Sequence, residues 1–137
     1  MRLLRLVVDA NVIVAALLRD STTRRLLILG GHELHAPRLL FEEIGEHWAE
    51  FVKRSGIPPE ALQEVLRVLR GYISEHDWSE YADSLRGAQA ALDPADVEDA
   101  PYLALASFLS ADGVWTEDRR LLEQAAVKTF RTRDLLR

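Results

Sequence analysis

Apolar and polar residues alternate along the chain in blocks that predict strands and helices in turn. Leu6–Val8 form a continuous apolar run that ends at Asp9, as in a buried parallel strand. Apolar residues spaced by three and four, such as Leu40, Ile44 and Trp48, predict amphipathic helices. We predict strands at about 4–9, 32–37, 73–78, 112–116 and 127–132, and helices at about 11–19, 22–29, 38–54, 59–71, 79–91, 100–110, 117–125 and 132–136.

This alternation predicts an α/β fold, a three-layer α/β/α sandwich with a central five-stranded parallel sheet. We expect residues 1–137 to form a single domain. The helix at 100–110 is almost entirely apolar, so it is expected to be deeply buried. In sheets of this kind functional groups collect at the carboxyl ends of the strands, where the strand order reverses.

The composition limits which metal ligands and which partners the protein can have. With 48% hydrophobic and 28% charged residues the chain has an ordinary folded composition, and without cysteine any metal must be held by oxygen or imidazole. The net charge of −5 argues against a module that coats nucleic acid, but permits acids that hold cations. The apolar N-terminal stretch is interrupted by Asp9 and Asn11, so we expect a cytoplasmic protein with no membrane segment.

Four acidic positions are predicted to approach one another. Asp9 follows the first strand and Asp118 lies just beyond the fourth, so they share a crevice if these strands are neighbours. Asp99 immediately precedes the buried helix, with Asp96 one turn earlier as the alternative third acid. Glu43 lies at the border of the buried stripe of its helix.

Each acid also has a simpler structural role. Asp99 and Asp118 are placed to cap helices, and Glu43 is placed to be a solvated residue paired with His47. Asp9 fits such a role least well, because no Arg or Lys partner is evident nearby. Close carboxylates repel one another unless a proton or a cation intervenes. The set therefore predicts a site for Mg²⁺ or Mn²⁺ and phosphodiester hydrolysis.

Four stretches resemble the PIN domain in order and spacing. They are VVDANVIV, a Glu-Ile pair in the helix after the second strand, DAPYLALA and WTEDRRLL. The resemblance covers essentially the whole chain and is greatest to small prokaryotic members, including VapC-like toxins. By resemblance, Asn11 takes the small polar position beside the first acid and Thr116 the position before the last. The family's acidic quartet falls on Asp9, Glu43, Asp99 and Asp118.

The resemblance implies a metal-dependent endoribonuclease that uses Mg²⁺ or Mn²⁺ and takes RNA as its substrate. It also implies a homodimer and a role as the toxin of a type II toxin–antitoxin pair, with a cognate antitoxin protein as partner. Positive charge at the rim of the site would bind the RNA backbone. Candidate residues are Arg119 and Arg120, with Arg24, Arg25, Arg131 and Arg133 as further positions.

Three alternatives stay open. A phosphatase of the haloacid dehalogenase type requires a second aspartate where Asn11 stands. A receiver domain would use Thr116 and Lys128, but the predicted third strand has no apolar run that ends in an aspartate. A catalytically inert PIN-like module that only binds a partner would have the same fold and no activity.

Overall fold

The computed structural model describes residues 2–18 and 21–136 of the chain and is built on a parallel sheet. The strands are β1 (Arg5–Val8), β2 (Glu33–Pro37), β3 (Ile73–His76), β4 (Gly113–Trp115) and β5 (Thr129–Phe130). They lie in the order β3-β2-β1-β4-β5, and every neighbouring pair is parallel. The predicted five-stranded parallel sheet is therefore confirmed.

Helices cover the sheet. They are α1 (Ala10–Leu18), α2 (Ser21–Leu29), α3 (Arg38–Glu46), α4 (Trp48–Ser55), α5 (Pro59–Arg70), α6 (Trp78–Tyr81), α7 (Leu85–Ala90), α8 (Ala100–Leu109) and α9 (Arg119–Glu123). Helices α1, α2, α4 and α5 form one group of contacts, whereas α8 packs on β1, β2 and β4 and contacts α6 and α7. This is the predicted α/β/α sandwich. The predicted end of the first helix at residue 19, and residues 1 and 137 of the predicted domain, lie outside the described residues.

The strand order positions a crevice beside β1. From β1 the chain adds β2 and β3 on one side and then returns to place β4 on the other. The Asp9 N–H donates to the Trp115 carbonyl at 2.9 Å, which ties the ends of the two strands together. Ligands of open α/β sheets bind where the strand order reverses in this way. The order also differs from the 2-1-3-4-5 order of receiver domains, which rules out that alternative.

Helix α8 is the buried centre of its layer, as its composition predicts. Its side chains from Tyr102 to Ala106 are at most 4% exposed. An apolar helix of this kind is stabilised by packing on the sheet rather than by an amphipathic pattern. It fixes the position of Asp99, which directly precedes it. No helix within the described ranges is both long and apolar enough to traverse a lipid bilayer.

The predicted fifth strand is too long. The prediction covered 127–132, but only Thr129–Phe130 pair with β4. The Gln124 side chain bonds both the N–H and the carbonyl of Val127, at 3.0 and 2.7 Å, and so occupies the groups that a longer strand would use. Gly113 allows the close approach of this segment, since a Cβ there would lie 2.5 Å from the Lys128 carbonyl oxygen.

Three predicted helices are also corrected. The helix at 38–54 breaks at His47 into α3 and α4, after the weak helix former Gly45. The helix at 79–91 begins earlier, at a capping box of Asp77 and Glu80, and is divided into α6 and α7 by a 3₁₀ turn at Ala82–Ser84. The last predicted helix is a 3₁₀ turn at Thr132–Leu135.

Candidate functional site

Asp9 is a buried carboxylate at the end of β1. Only 5% of the residue is exposed. Its Oδ1 accepts the Ala10 N–H at 2.8 Å and its Oδ2 accepts the Thr116 hydroxyl at 2.7 Å. Burial raises the pKa of Asp9, the two hydrogen bonds oppose that rise, and the charge of Asp118 adds to it. The chain thus holds a carboxylate where water solvates it poorly, which is typical of functional acids.

Thr116 links the first acid to the last. Its fully buried hydroxyl donates to Asp9 and accepts the Asp118 N–H at 2.9 Å. Asp118 then begins α9, with its Oδ1 accepting the Arg120 N–H at 2.9 Å. Asp118 therefore has the capping role that its position predicted. The Asp118 N–H and the Asp9 carboxylate also bond to the same Thr116 hydroxyl, because β1 and β4 are neighbours.

Asp99 differs from Asp118 because its side chain caps no helix. The side chain is 13% exposed, and within the described part of the chain no hydrogen bond reaches its buried Oδ2. Burial raises the pKa of Asp99 to about 6, and the charges of Asp118, Asp9 and Asp96 contribute to the rise. A buried carboxylate oxygen without a hydrogen bond costs free energy, so a cation or a donor that reached the Asp99 Oδ2 would stabilise the folded chain.

Arg120 supplies positive charge to this cluster. Its guanidinium binds Asp118 at 2.9 Å and makes longer ion pairs with Asp96 at 3.6 Å and Asp99 at 3.8 Å. The bonds to Asp118 hold the pKa of that carboxyl below its usual range. The neighbouring Arg119 instead pairs with Glu123 one turn along α9, and its side chain is 90% exposed. Of the neighbouring candidates Arg119 and Arg120, Arg120 is the one that contacts the acids of this cluster.

The acids share a small open cleft of about 200 Å³. It is lined by Asp9, Ala10, Asn11, Glu43, Glu98, Asp99, Tyr102, Asp118 and Arg120. At ~30 Å³ per water molecule the cleft has room for an ion with a few waters, or for a phosphate group, but not for a whole nucleotide. All four acids of the predicted quartet therefore reach one cleft, whereas Asp96 lies beside it and contacts it through Arg120.

Glu43 lies at the rim of the cleft, on α3. Partial desolvation raises its pKa, and the charges of Glu46, Glu98 and Asp99 raise it further, whereas His47 opposes the rise. Asn11 is exposed two residues after Asp9, and its Oδ1 accepts the Glu117 N–H at 3.5 Å. Glu43 and Asn11 thus line the cleft as exposed residues, whereas Asp9 is buried.

The donor set suits a hard divalent cation, but the described arrangement is that of a guanidinium-bound site. Carboxylate oxygens are the ligands that Mg²⁺ and Mn²⁺ prefer, and the Asp99 Oδ2 lacks a hydrogen bond. Within residues 2–18 and 21–136, however, no three acidic or histidine side chains are placed to hold one ion together. The Arg120 guanidinium lies among the oxygens that would have to converge.

A family model described as PIN domain matches residues 7–136, which is nearly the whole chain. The protein belongs to the PIN-domain family. A search of curated proteins finds no match to it. PIN domains are generally nucleases that use divalent metal ions, so membership supports a nuclease-type function. It also favours this function over a haloacid dehalogenase-like phosphatase, whose second aspartate is replaced here by Asn11.

Sequence reasoning missed two residues that line the cleft of this PIN domain. Tyr102 is buried, and its burial together with the charges of Asp9, Glu43 and Asp99 raises the pKa of its phenol, which stays protonated. Its position three residues after Asp99, on the same helical face, was an available signal. Glu98 precedes Asp99 in the 3₁₀ turn at Pro94–Asp99, where backbone geometry rather than spacing decides which acid points to the cleft.

Proposed function

We propose that this PIN domain is an Mg²⁺- or Mn²⁺-dependent endoribonuclease, with Asp9, Glu43, Asp99 and Asp118 as its acidic residues. The observation that carries the proposal is the Thr116 hydroxyl bridge between Asp9 and Asp118, with the Asp99 carboxylate in the same cleft. Carboxylates that are brought together and left partly uncompensated are typical of a cation site rather than of a structural network.

Asp9, Asp99 and Asp118 are the proposed metal ligands, and Glu43 completes the site from the rim. A bound divalent cation supplies charge neutralisation and Lewis-acid activation of the phosphodiester and of water. The location of Asp99 in the cleft lining favours it over Asp96 as the third acid. Asn11 is a supporting polar group beside Asp9.

The chain's own groups prepare the site for hydrolysis. The Thr116 hydroxyl holds the Asp9 Oδ2 and the backbone N–H of Asp118, which fixes the Asp9 carboxylate relative to the start of α9. Tyr102 remains a hydrogen-bond donor at every working pH, since its phenol stays protonated. Hydrolysis adds water across the P–O3′ bond and leaves a 3′-hydroxyl on one fragment and a 5′-phosphate on the next. Arg120 and the more exposed Arg119 are the proposed contacts to substrate phosphates.

The test is cleavage of an end-labelled single-stranded RNA in Mn²⁺ and in EDTA. We expect fragments with 5′-phosphates in Mn²⁺ and none in EDTA. Asp9→Asn should lose activity by at least about a thousandfold with the fold intact. Asp112→Asn is the matched control, because this aspartate lies at the opposite end of the sheet and pairs with Arg2. Equal activity in wild type and Asp9→Asn contradicts the proposal.

We further propose that the protein is the toxin of a type II pair, that it acts in the cytoplasm, and that it forms a homodimer. Support comes from the resemblance of the chain to small prokaryotic PIN domains. Growth arrest on expression, relieved by the product of an adjacent small reading frame, is the expected result. Light scattering should give twice the 15.5 kDa of one chain. Growth without arrest contradicts the toxin role, and a monomer in light scattering contradicts the homodimer.

One observation favours a second candidate, an inert PIN-like binding module. Arg120 contacts three aspartates, and no three described side chains converge on one ion. An inert module would show no cation binding at millimolar concentration and no cleavage of RNA. The nuclease assay and a cation titration therefore separate the two candidates.

A further inference from the structure

Two neighbouring arginines on α9 differ in where their guanidinium groups lie. The side chain of Arg119 is 90% exposed and pairs with Glu123. Arg120 instead turns back from α9 and binds Asp118 through Nε and Nη2, at 3.2 and 2.9 Å. The same guanidinium reaches Asp96 and Asp99, which come from a different part of the chain.

The match between this guanidinium and the acids is incomplete. Five carboxyl groups line the cleft, namely those of Asp9, Glu43, Glu98, Asp99 and Asp118, against the one positive charge of Arg120. The contact to Asp99 Oδ2 is 3.8 Å long, beyond hydrogen-bond range, and that oxygen has no other donor within the described residues. Arg120 therefore neutralises the negative charge of the cluster only in part, so a divalent cation would be attracted to the remaining carboxylate charge.

A guanidinium and a divalent cation exclude each other here. Both would take the oxygens of Asp99 and Asp118, and two positive groups within a few ångströms repel each other strongly in a partly desolvated cleft. The side chain of Arg120 has a route out of the cleft, because it is 54% exposed to solvent.

We propose that Arg120 is an internal counter-ion that competes with the divalent cation for Asp99 and Asp118, so that cation binding requires its guanidinium to swing out of the cleft. This inference rests on the proposed metal-dependent function. It accounts for the absence of a converged ligand set among the described residues, since the guanidinium holds the carboxylates in the geometry of an ion-pair network. It also makes the resting protein a weak binder of metal.

The first test is calorimetric titration of Mn²⁺ into the wild type, Arg120→Gln and Arg119→Gln, without RNA. Both variants remove one positive charge from the same helix, but only one removes a competitor from the cleft. We expect Arg120→Gln to bind Mn²⁺ roughly fivefold to tenfold more tightly than Arg119→Gln. Arg120→Lys keeps the charge and should stay near the wild-type affinity.

The second test is an NMR titration that is read on the wild-type protein. In ¹⁵N side-chain spectra of the wild type, the Arg120 Nε resonance should be shifted by its carboxylate partner, and titration with Mg²⁺ should move it to the position of free arginine side chains. Arg120→Gln assigns the signal. Saturation with Mg²⁺ that leaves this resonance unmoved overturns the inference.

The outcomes separate the inference from the proposed function. Tighter binding in Arg120→Gln than in Arg119→Gln supports both. Equal or weaker binding in Arg120→Gln, with the wild type binding metal, overturns the competition and leaves the metal site standing. Binding in none of the three proteins at millimolar Mn²⁺ overturns the metal site itself and, with it, the competition.

Discussion

The two ends of the central sheet treat their acidic residues in opposite ways. At the amino end, Asp112 accepts the Arg5 N–H at 2.7 Å and pairs with Arg2, and Glu33 pairs with Arg5 and His35. These bonds hold the pKa values of Asp112 and Glu33 below their usual ranges.

At the carboxyl end the acids outnumber their partners. Asp9 and Asp99 are desolvated, their pKa values are raised, and Arg120 is the cation that contacts this cluster among the described ion pairs. Asp112 and Glu33 are thus paired with cationic or imidazole side chains, whereas Asp99 has only the 3.8 Å contact to Arg120 and Asp9 has hydrogen bonds from uncharged donors alone among the described residues. An unmatched, desolvated set is therefore a better indicator of function than the number of acids.

The two aspartates beside Arg120, Asp96 and Asp99, should differ strongly in their effect on RNA cleavage. Asp99→Asn should lower RNA cleavage by at least about a hundredfold, because it removes a proposed ligand. Asp96→Asn should lower it by less than about threefold, because Asp96 contacts the cleft only through Arg120. Initial rates on the same RNA decide this. A larger loss in Asp96→Asn would move the third ligand to that residue.

Next in size is the hydroxyl bridge. Thr116→Val keeps the shape of the side chain but removes the donor to Asp9 and the acceptor for Asp118. We expect kcat to fall by about tenfold to a hundredfold, as for other groups that orient metal ligands. Thr116→Ser should restore most of the rate. Melting curves exclude unfolding as the cause, and a variant with unchanged kcat would deny Thr116 a positioning role.

The comparison also predicts pH dependences of opposite sign. The folded chain keeps the Asp99 proton up to about pH 6 whereas an unfolded chain releases it near 3.8, so Asp99 costs stability as pH rises through this interval. After a discount for solvent screening, Asp99→Asn should be more stable than wild type by about 1–2 kcal/mol at pH 7.5 in EDTA. The difference should vanish by about pH 4.

The contribution of Asp112 to stability should change with pH in the opposite direction. Its pKa is lowered in the folded chain, so its contribution is present above its unfolded pKa and is lost as pH falls through the folded value. Asp112→Asn should therefore be less stable than wild type at pH 7.5 and approach it in acid. Urea unfolding across pH gives the difference in unfolding free energy between each variant and wild type. Differences of the same sign at pH 7.5 would contradict the contrast between the two ends of the sheet.

The smallest effect is thermal. Millimolar Mg²⁺ should raise the melting temperature of the wild type by a few degrees, on the order of 1 kcal/mol of linkage at ten times the dissociation constant. The rise should be absent in Asp9→Asn and kept in Asp112→Asn. A rise of equal size in all three would indicate a cation bound away from the cleft.

Much of the fold was predictable from periodicity, and its breaks were not. The apolar runs before Asp9 and in helix α8 identify buried elements, because burial on all sides leaves few alternatives. The apolar spacing continues from Ile44 to Trp48 across the break at His47, so periodicity cannot reveal it. Helix–turn boundaries of this kind depend on local backbone bonds.

The part of the candidate site that lies at the ends of strands was predictable from the sequence. Asp9 and Asp118 meet because two parallel strands are neighbours, which the alternation of elements implies. The inward turn of Arg120 was not predictable, because it depends on the start of a five-residue helix and on the side-chain geometry there. Spacing alone treats Arg119 and Arg120 alike.

Calorimetric titration of Mn²⁺ into wild type, Asp9→Asn and Asp112→Asn tests whether the carboxyl end of the sheet holds a cation site. We expect wild type and Asp112→Asn to bind the cation in the millimolar range or tighter and Asp9→Asn not to bind it. Binding that is unchanged in Asp9→Asn, or absent from all three folded proteins, would contradict a cation site at the carboxyl end of the sheet.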